Sequence, residues 1–344
     1  PVTGEPTGIL QERAMELLPS VPYTLDQLKR GMELALEILA KKGITTIGDL
    51  SAQPEGLRIY QQLRKENRLT ARVRLWPIAQ KTITGNGMLD DVYAVGIESG
   101  FGDDMISIQG VKYVLDGSIS GKTAAISKPY FRDTSNGIIY FNDESEMLKS
   151  VRKAFKGGLR VSIHAIGDRA IEFALNVIEK AGAGMNISGM RNRIEHCVLP
   201  TDKQLSRIKE NGIVVGSSFG FIYALGEGYL NALGPERVKA ALPQKSYQDL
   251  GIIAPGNTDC PVCDVNPLLA IYAAVTRKSI CGNSLGEKQR VDPQEALRSY
   301  TTYAAYSTFD EDKSGSIKEG KLADMVVLEK NLLLEDPEEI KDIK

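Results

Sequence analysis

Apolar positions along this chain change period again and again. From Thr24 to Lys42 they fall at Leu25, Leu28, Met32, Leu36 and Leu39, the spacing of an amphipathic helix that Thr24 can cap and Gly43 can close. A β-branched run, Ile44 to Ile47, follows as the first visible strand. The same exchange recurs downstream. Apolar runs at 72–78, 111–115, 160–163, 193–195, 213–217 and 252–255 predict strands. Helical spacing predicts helices at about 54–67, 88–99, 144–155, 203–210, 235–242, 267–278 and 293–306, and another carrying Ile171, Ala174, Leu175 and Ile178. Strand and helix alternating over most of the chain argue for a parallel sheet with right-handed crossovers. Seven strands are visible, and a closed (β/α) barrel needs eight. Residues 1–22 have no usable period and read as loop. The Gly- and Ser-rich stretch from Ser118 to Asn142 is long for a connection and reads as a lid over a site. A last strand-like run, 320–331, has no helix after it and is expected in a small β subdomain outside the barrel.

The chain has two histidines, and both stand in the same setting. In GGLRVSIHAIGDRAIEFALNVIEKAG, residues 157–182, a strand stops at His164 and a turn leads into a helix. In RNRIEHCVLP a short strand stops at His196, ahead of a helix that Thr201 or Asp202 can cap. Carboxyl ends of parallel strands are where open α/β sheets and closed barrels assemble their sites. A lone histidine is commonly a hydrogen-bonded, half-buried ring. Two in one slot read as paired metal ligands of the kind imidazole favours.

Composition narrows the function classes. With 344 residues and 42% hydrophobic content the chain can bury a large core, with one main domain as the simplest reading. A net charge of -2 and a pI near 6.0 give no reason to expect a nucleic-acid or membrane partner. No apolar run reaches membrane-spanning length, and PVTGEPTGILQERA lacks a basic and an apolar leader region, so a soluble, cytoplasmic protein is expected. Four cysteines are too few for a disulfide framework. Cys260 and Cys263 form a CxxC, but no second pair completes a zinc site, and a tight loop is the reading preferred.

Taken in order, VKYVLDGS, SIHAIGDRA, RIEHC, GNTDCPV and GSIKEGKLADMVVL resemble the amidohydrolase superfamily. The likeness is to its family 3 branch, which includes N-substituted formamide deformylases and many uncharacterised metal-dependent hydrolases. That resemblance implies a (β/α)8 TIM-type barrel over residues 1–312 and part of a small β-sandwich subdomain over 313–344. It implies one or two divalent ions, zinc first among them, with His164 as the fifth-strand ligand, His196 as the sixth-strand ligand and Asp259 as the eighth-strand aspartate. Lys112 lies where the fourth-strand ligand would stand, as a carbamylated lysine. In the implied mechanism, metal-activated water attacks the carbonyl of an amide, formamide or cyclic amide, and Asp259 takes the water's proton and returns it to the leaving amine. Glu195 and Asp168 are candidates to fix imidazole tautomers, or else a solvated carboxylate and a helix cap. Arg169 either meets a substrate carboxylate or pairs with Asp168.

Two departures stand out. No HxH occurs anywhere, so the first barrel strand and the amino-terminal part of the sandwich are expected to be missing, and Lys344 precedes the sandwich strand that would close it. GNTDCPV also stands where GSDxPV is usual. The alternative function is therefore a catalytically impaired or non-catalytic remnant of the same fold. Open edges at the strands of Ile44 and Ile252 would favour self-association. A phosphate-binding lyase on the same barrel is disfavoured, because no Gly-rich phosphate loop follows the last strands.

Overall fold

The computed structural model describes residues 8, 10–19, 22–82 and 86–344. Among them, seven strands run parallel: β1 Thr46–Ala52, β2 Arg72–Pro77, β3 Ile106–Ile108, β4 Val111–Val114, β5 Val161–Ala165, β6 Arg193–His196 and β7 Val214–Gly216. They form two ladders, β1-β2-β3 and β4-β5-β6-β7. A parallel bridge between Ile78 and Lys112 joins the ladders. At the far side, Val215 and Ser217 donate backbone hydrogen bonds to Ile253 (3.0 Å) and Pro255 (2.8 Å), and Ser217 bridges Gly256. The expected strand at 252–255 is thus a paired segment without a regular ladder. The whole is an α/β barrel wall of parallel strands wrapped by helices.

Local chemistry explains most of the elements. Thr24 accepts from the Gln27 backbone while the Gln27 side chain accepts from the Thr24 backbone, a capping box that starts helix Leu25–Lys41. Thr201 and Gln204 repeat it at helix Asp202–Glu210. Helices Glu144–Lys156 and Asp168–Ala181 then lay Met147, Val151, Phe155, Ile171, Leu175 and Ile178 onto the apolar faces of β4 to β6, where all are buried.

The structure differs from the sequence expectation in several places, each with a local cause. The first strand begins at Thr46, because the Ile44 N–H is used to close the preceding helix on the Leu39 carbonyl. β3 was not expected. It is the first half of the strand whose second half is β4, and the two are separated at Gln109 and Gly110. Gly110 has φ +156, and a Cβ there would stand 2.3 Å from the Arg160 carbonyl oxygen, so only glycine lets the strand turn from β2 toward β5. Where a Gly- and aromatic-containing loop and a helix at 235–242 were expected, a helix runs Phe221–Arg237 and breaks at Gly234, ahead of Pro235. Burial of Phe221, Ile222, Tyr229, Ala232 and Leu233 in one cluster outweighs the weak helix formers Gly226 and Gly228. The helix expected at 293–306 is two, Pro293–Tyr300 and Thr302–Ser307, parted by a non-helical Thr301.

Segment 118–142 is irregular but not loose. Ile119, Ala124, Ala125, Ile126 and Tyr130 are buried, and Arg237 donates to the carbonyls of Lys128 and Pro129. The strand expected at 320–331 is not formed, since no described strand lies beside it to pair with. Val327 is 93% exposed, while Asp324 is held by an ion pair to Arg72 at 2.6 Å. Chain beyond it returns to the barrel side, where Ile340 of the 3-10 turn Pro337–Asp342 is fully buried against helix Pro267–Thr276.

Candidate active site

His164 is the fourth residue of β5 and His196 the last of β6, and parallel register sets Ala165 opposite His196. Their rings meet edge to face with centroids 4.6 Å apart. Phe221, the first residue of its helix, stacks on His196 at 5.6 Å with planes 16° apart and fixes the ring from the other side. The backbone at His196 is itself unusual. Its φ is +70, and the Cys197 N–H donates to the Glu195 carbonyl at 2.9 Å, closing a positive-φ γ-turn. Cys197 (φ +45) and Asp259 (φ +50) are also left-handed. Each such residue costs on the order of 1–3 kcal/mol, and such strain gathers where a fold holds functional side chains in place.

A hydrogen bond engages one nitrogen of each ring. Nε2 of His164 lies 3.0 Å from the Gly117 carbonyl oxygen, which can only accept, so Nε2 is the donor. Nδ1 of His196 lies 2.8 Å from Ser218 Oγ, and its Nε2 has no hydrogen bond among the described residues. Burial, with the nearby charges of His164 and Lys112, holds the His196 pKa well below the ordinary value, so the ring stays neutral. The loop that presents Gly117 is pinned by Asp116. Its buried carboxylate accepts the backbone N–H groups of Ala125, Ile166 and Gly167 at 2.9–3.0 Å and stands 3.4 Å from His164 Nε2.

Lys112 points from β4 into the same region. It is buried and makes no hydrogen bond or ion pair among the described residues. Burial pushes its pKa down to about 8, against the opposing pull of Glu195 and Asp259. Asp259 is open to solvent, yet enough protein surrounds it that its pKa is raised, while Lys112 and His164 oppose the rise. Its carboxylate likewise has no hydrogen-bond partner among the described residues.

Glu195 and Asp168 do not fix the imidazoles. Glu195 receives two bonds from Arg193 (2.6 and 3.0 Å) and one from Ser162 (2.7 Å). Burial pushes its pKa up, but Arg193, Ser162 and Lys112 together outweigh burial and hold it below the carboxylate range. Asp168 accepts from the Ser127 backbone at 2.8 Å at the start of its helix and so fastens the 118–142 segment. Arg169 is exposed on the next position and forms no ion pair with Asp168. Gly117, Ser218, Phe221 and Asn257 are the neighbours that sequence reasoning missed. Ser218 and Asn257 each lie just past a strand end, the one signal that could have marked them.

In kind, this donor set fits a divalent cation: two imidazoles, each with one nitrogen that bonds to no described residue, a carboxylate unpaired among the described residues and an amine that loses its proton readily. Among the described residues, no three His, Cys, Asp or Glu side chains converge closely enough to enclose an ion by themselves.

The Amidohydrolase family description matches residues 2–344, and the chain belongs to that family. It is 27% identical to the putative amidohydrolase YtcJ of Bacillus subtilis over 98% of this chain and 63% of that protein. It is 25% identical to the N-substituted formamide deformylase of Arthrobacter pascens over 96% of this chain and 61% of the deformylase. Among solved structures, an uncharacterized metal-dependent hydrolase from Pyrococcus horikoshii OT3 superposes with a TM-score of 0.82 at 28% identity, over 95% of this chain and 64% of the other. The chain thus spans under two thirds of the length of these relatives. Among the described residues, no helix is long and apolar enough to cross a membrane.

Proposed function

We propose that this protein is a metal-dependent hydrolase that cleaves a C–N bond of a small amide, formamide or cyclic amide, with His164, His196, Asp259 and Lys112 as the groups that hold the cation. The observation that carries the reading is the pair of imidazoles 4.6 Å apart, each fixed through one nitrogen while the other bonds to none of the described residues. A divalent ion such as zinc, when bound, lowers the pKa of water and polarises a carbonyl. Asp259 serves as the base that takes the attacking water's proton and returns it to the leaving nitrogen. Its raised pKa moves it toward that task, and the lack of a hydrogen-bond partner among the described residues leaves it free to act. Lys112, drawn down to about 8, has a neutral fraction near neutral pH, and its amine can add carbon dioxide, release a proton and become an anionic carbamate. The likeness to a formamide deformylase supports the C–N bond as the target.

A second reading, a barrel of this family that hydrolyses little, draws on the absence of a closed three-residue donor cluster among the described residues. Metal analysis and an assay panel of N-formyl, N-acyl and cyclic amides separate the two. The hydrolase reading expects about one to two equivalents of metal, and a fall of 100-fold or more in hydrolysis with loss of metal in His164→Gln and His196→Gln. No hydrolysis across the panel by metal-replete protein, or unchanged hydrolysis in both variants, would overturn it.

A further inference from the structure

Ser218 is fully buried and touches two polar groups: His196 Nδ1 at 2.8 Å and Asn257 Oδ1 at 2.7 Å. A hydroxyl has one hydrogen to give. Since Asn257 Oδ1 can only accept, Ser218 donates to Asn257 and must therefore accept on its other side. We infer that Asn257 and Ser218 act as a positioning pair that holds His196 in its Nδ1–H tautomer and so turns the Nε2 lone pair into the site. This rests on the proposed hydrolase reading only for its consequence, not for the arrangement itself.

Backbone pairing builds the relay. Ser217 bridges Gly256, and the Asn257 N–H donates to the Ser217 carbonyl at 3.2 Å, so the register between β7 and the 253–256 segment sets Asn257 against Ser218. The same register carries Asp259, two residues further on. One pairing therefore aligns a carboxylate and orients an imidazole from a different strand. Phe221, stacked on the ring, blocks it from turning over to exchange its nitrogens. In His164 it is Nε2 that donates, to the Gly117 backbone carbonyl, which no substitution at 218 or 257 removes. It serves as an internal control.

The test is nitrogen-15 NMR of histidine-labelled, metal-free protein at pH 8, with signals assigned from His164→Gln and His196→Gln. The expected spectrum shows His196 with a pyrrole-like Nδ1 and a pyridine-like Nε2, and His164 with the reverse. Asn257→Leu frees the Ser218 hydroxyl to donate to Nδ1 and should shift His196 toward Nε2–H with His164 unmoved, whereas Asn257→Asp keeps an acceptor and should keep the pattern. By chelator competition, zinc affinity should fall about 10- to 100-fold in Asn257→Leu and stay within a few-fold of the parent in Asn257→Asp. An Nε2–H His196 in the unsubstituted protein overturns the inference, and so does an unchanged His196 in folded Asn257→Leu. If the tautomers are as expected while the unsubstituted protein binds no metal, the relay stands and the hydrolase reading falls.

Discussion

Glu195 shows how a charged residue next to a site can serve the fold first. Its carboxylate is shared by Arg193 and Ser162, with the Arg193 and Glu195 side chains only 9% and 3% exposed. Removing the charge leaves Arg193 buried without its counter-ion, a loss of about 3–5 kcal/mol. Glu195→Gln is therefore expected to unfold at clearly lower urea. Because the folded pKa lies below the unfolded value of 4.5, this stabilisation is complete above about pH 4.5 and fades as pH falls further. The gap between parent and variant should narrow below that pH, and a constant gap down to pH 3 would contradict the assignment. Lys112 carries the opposite sign. Its folded pKa near 8 lies below the unfolded 10.5, so its burial costs stability at neutral pH and the cost is relieved as pH rises from 8 to 10.5. In metal-free protein Lys112→Met should gain on the order of 2 kcal/mol at pH 7 and progressively less toward pH 10.5, as read from urea midpoints.

At the scale of elements, the 118–142 segment is an irregular chain made rigid from outside. Three backbone N–H groups converge on Asp116, one from Ala125 in the segment itself and two from the β5 turn, and Asp168 holds Ser127. Asp116→Ala would leave three buried donors unmet, a cost on the order of 4 kcal/mol. Trypsin should then cut faster at Lys122 or Arg132, while these sites resist in the parent protein. Unaltered cleavage would show that apolar packing alone holds the segment. The length and Gly/Ser content of this stretch marked it as unusual, but its anchors Asp168 and Arg237 sit 41 and 109 residues away along the chain, beyond the reach of any local pattern.

Across the whole molecule, two buried arginines fasten residues 307–310 to the barrel. Arg74 of β2 grips Asp310 at 2.7 Å with both side chains largely buried, and Arg160, ahead of β5, donates to the Ser307 carbonyl at 2.9 Å. Arg74→Met alone strands a buried Asp310 and should cost about 3–5 kcal/mol, while Arg74→Met with Asp310→Leu should recover most of that loss, because two apolar groups replace two desolvated charges. A double variant as unstable as the single would mean that Asp310 matters through its bond from Thr308, not through Arg74.

What one stretch of sequence can specify, it did. The helices begin where Thr24 and Thr201 supply reciprocal caps, and alternation of apolar runs with helical spacing pointed to a parallel α/β barrel, because hydrophobic period and capping act within a turn or two of chain. The placement of both histidines at strand ends was readable for the same reason. Their protonation was not. His164 is set by Gly117, 47 residues away, and His196 by Ser218, 22 residues away, which in turn is set by Asn257 another 39 residues on. Nor could sequence alone say that Glu195 would face Arg193 and Ser162 in place of a ring, or that a glycine-bearing stretch would become helix Phe221–Arg237. These were settled when strands came into register and each buried polar atom had to find its partner among residues distant in sequence, a choice that belongs to packing and desolvation in three dimensions.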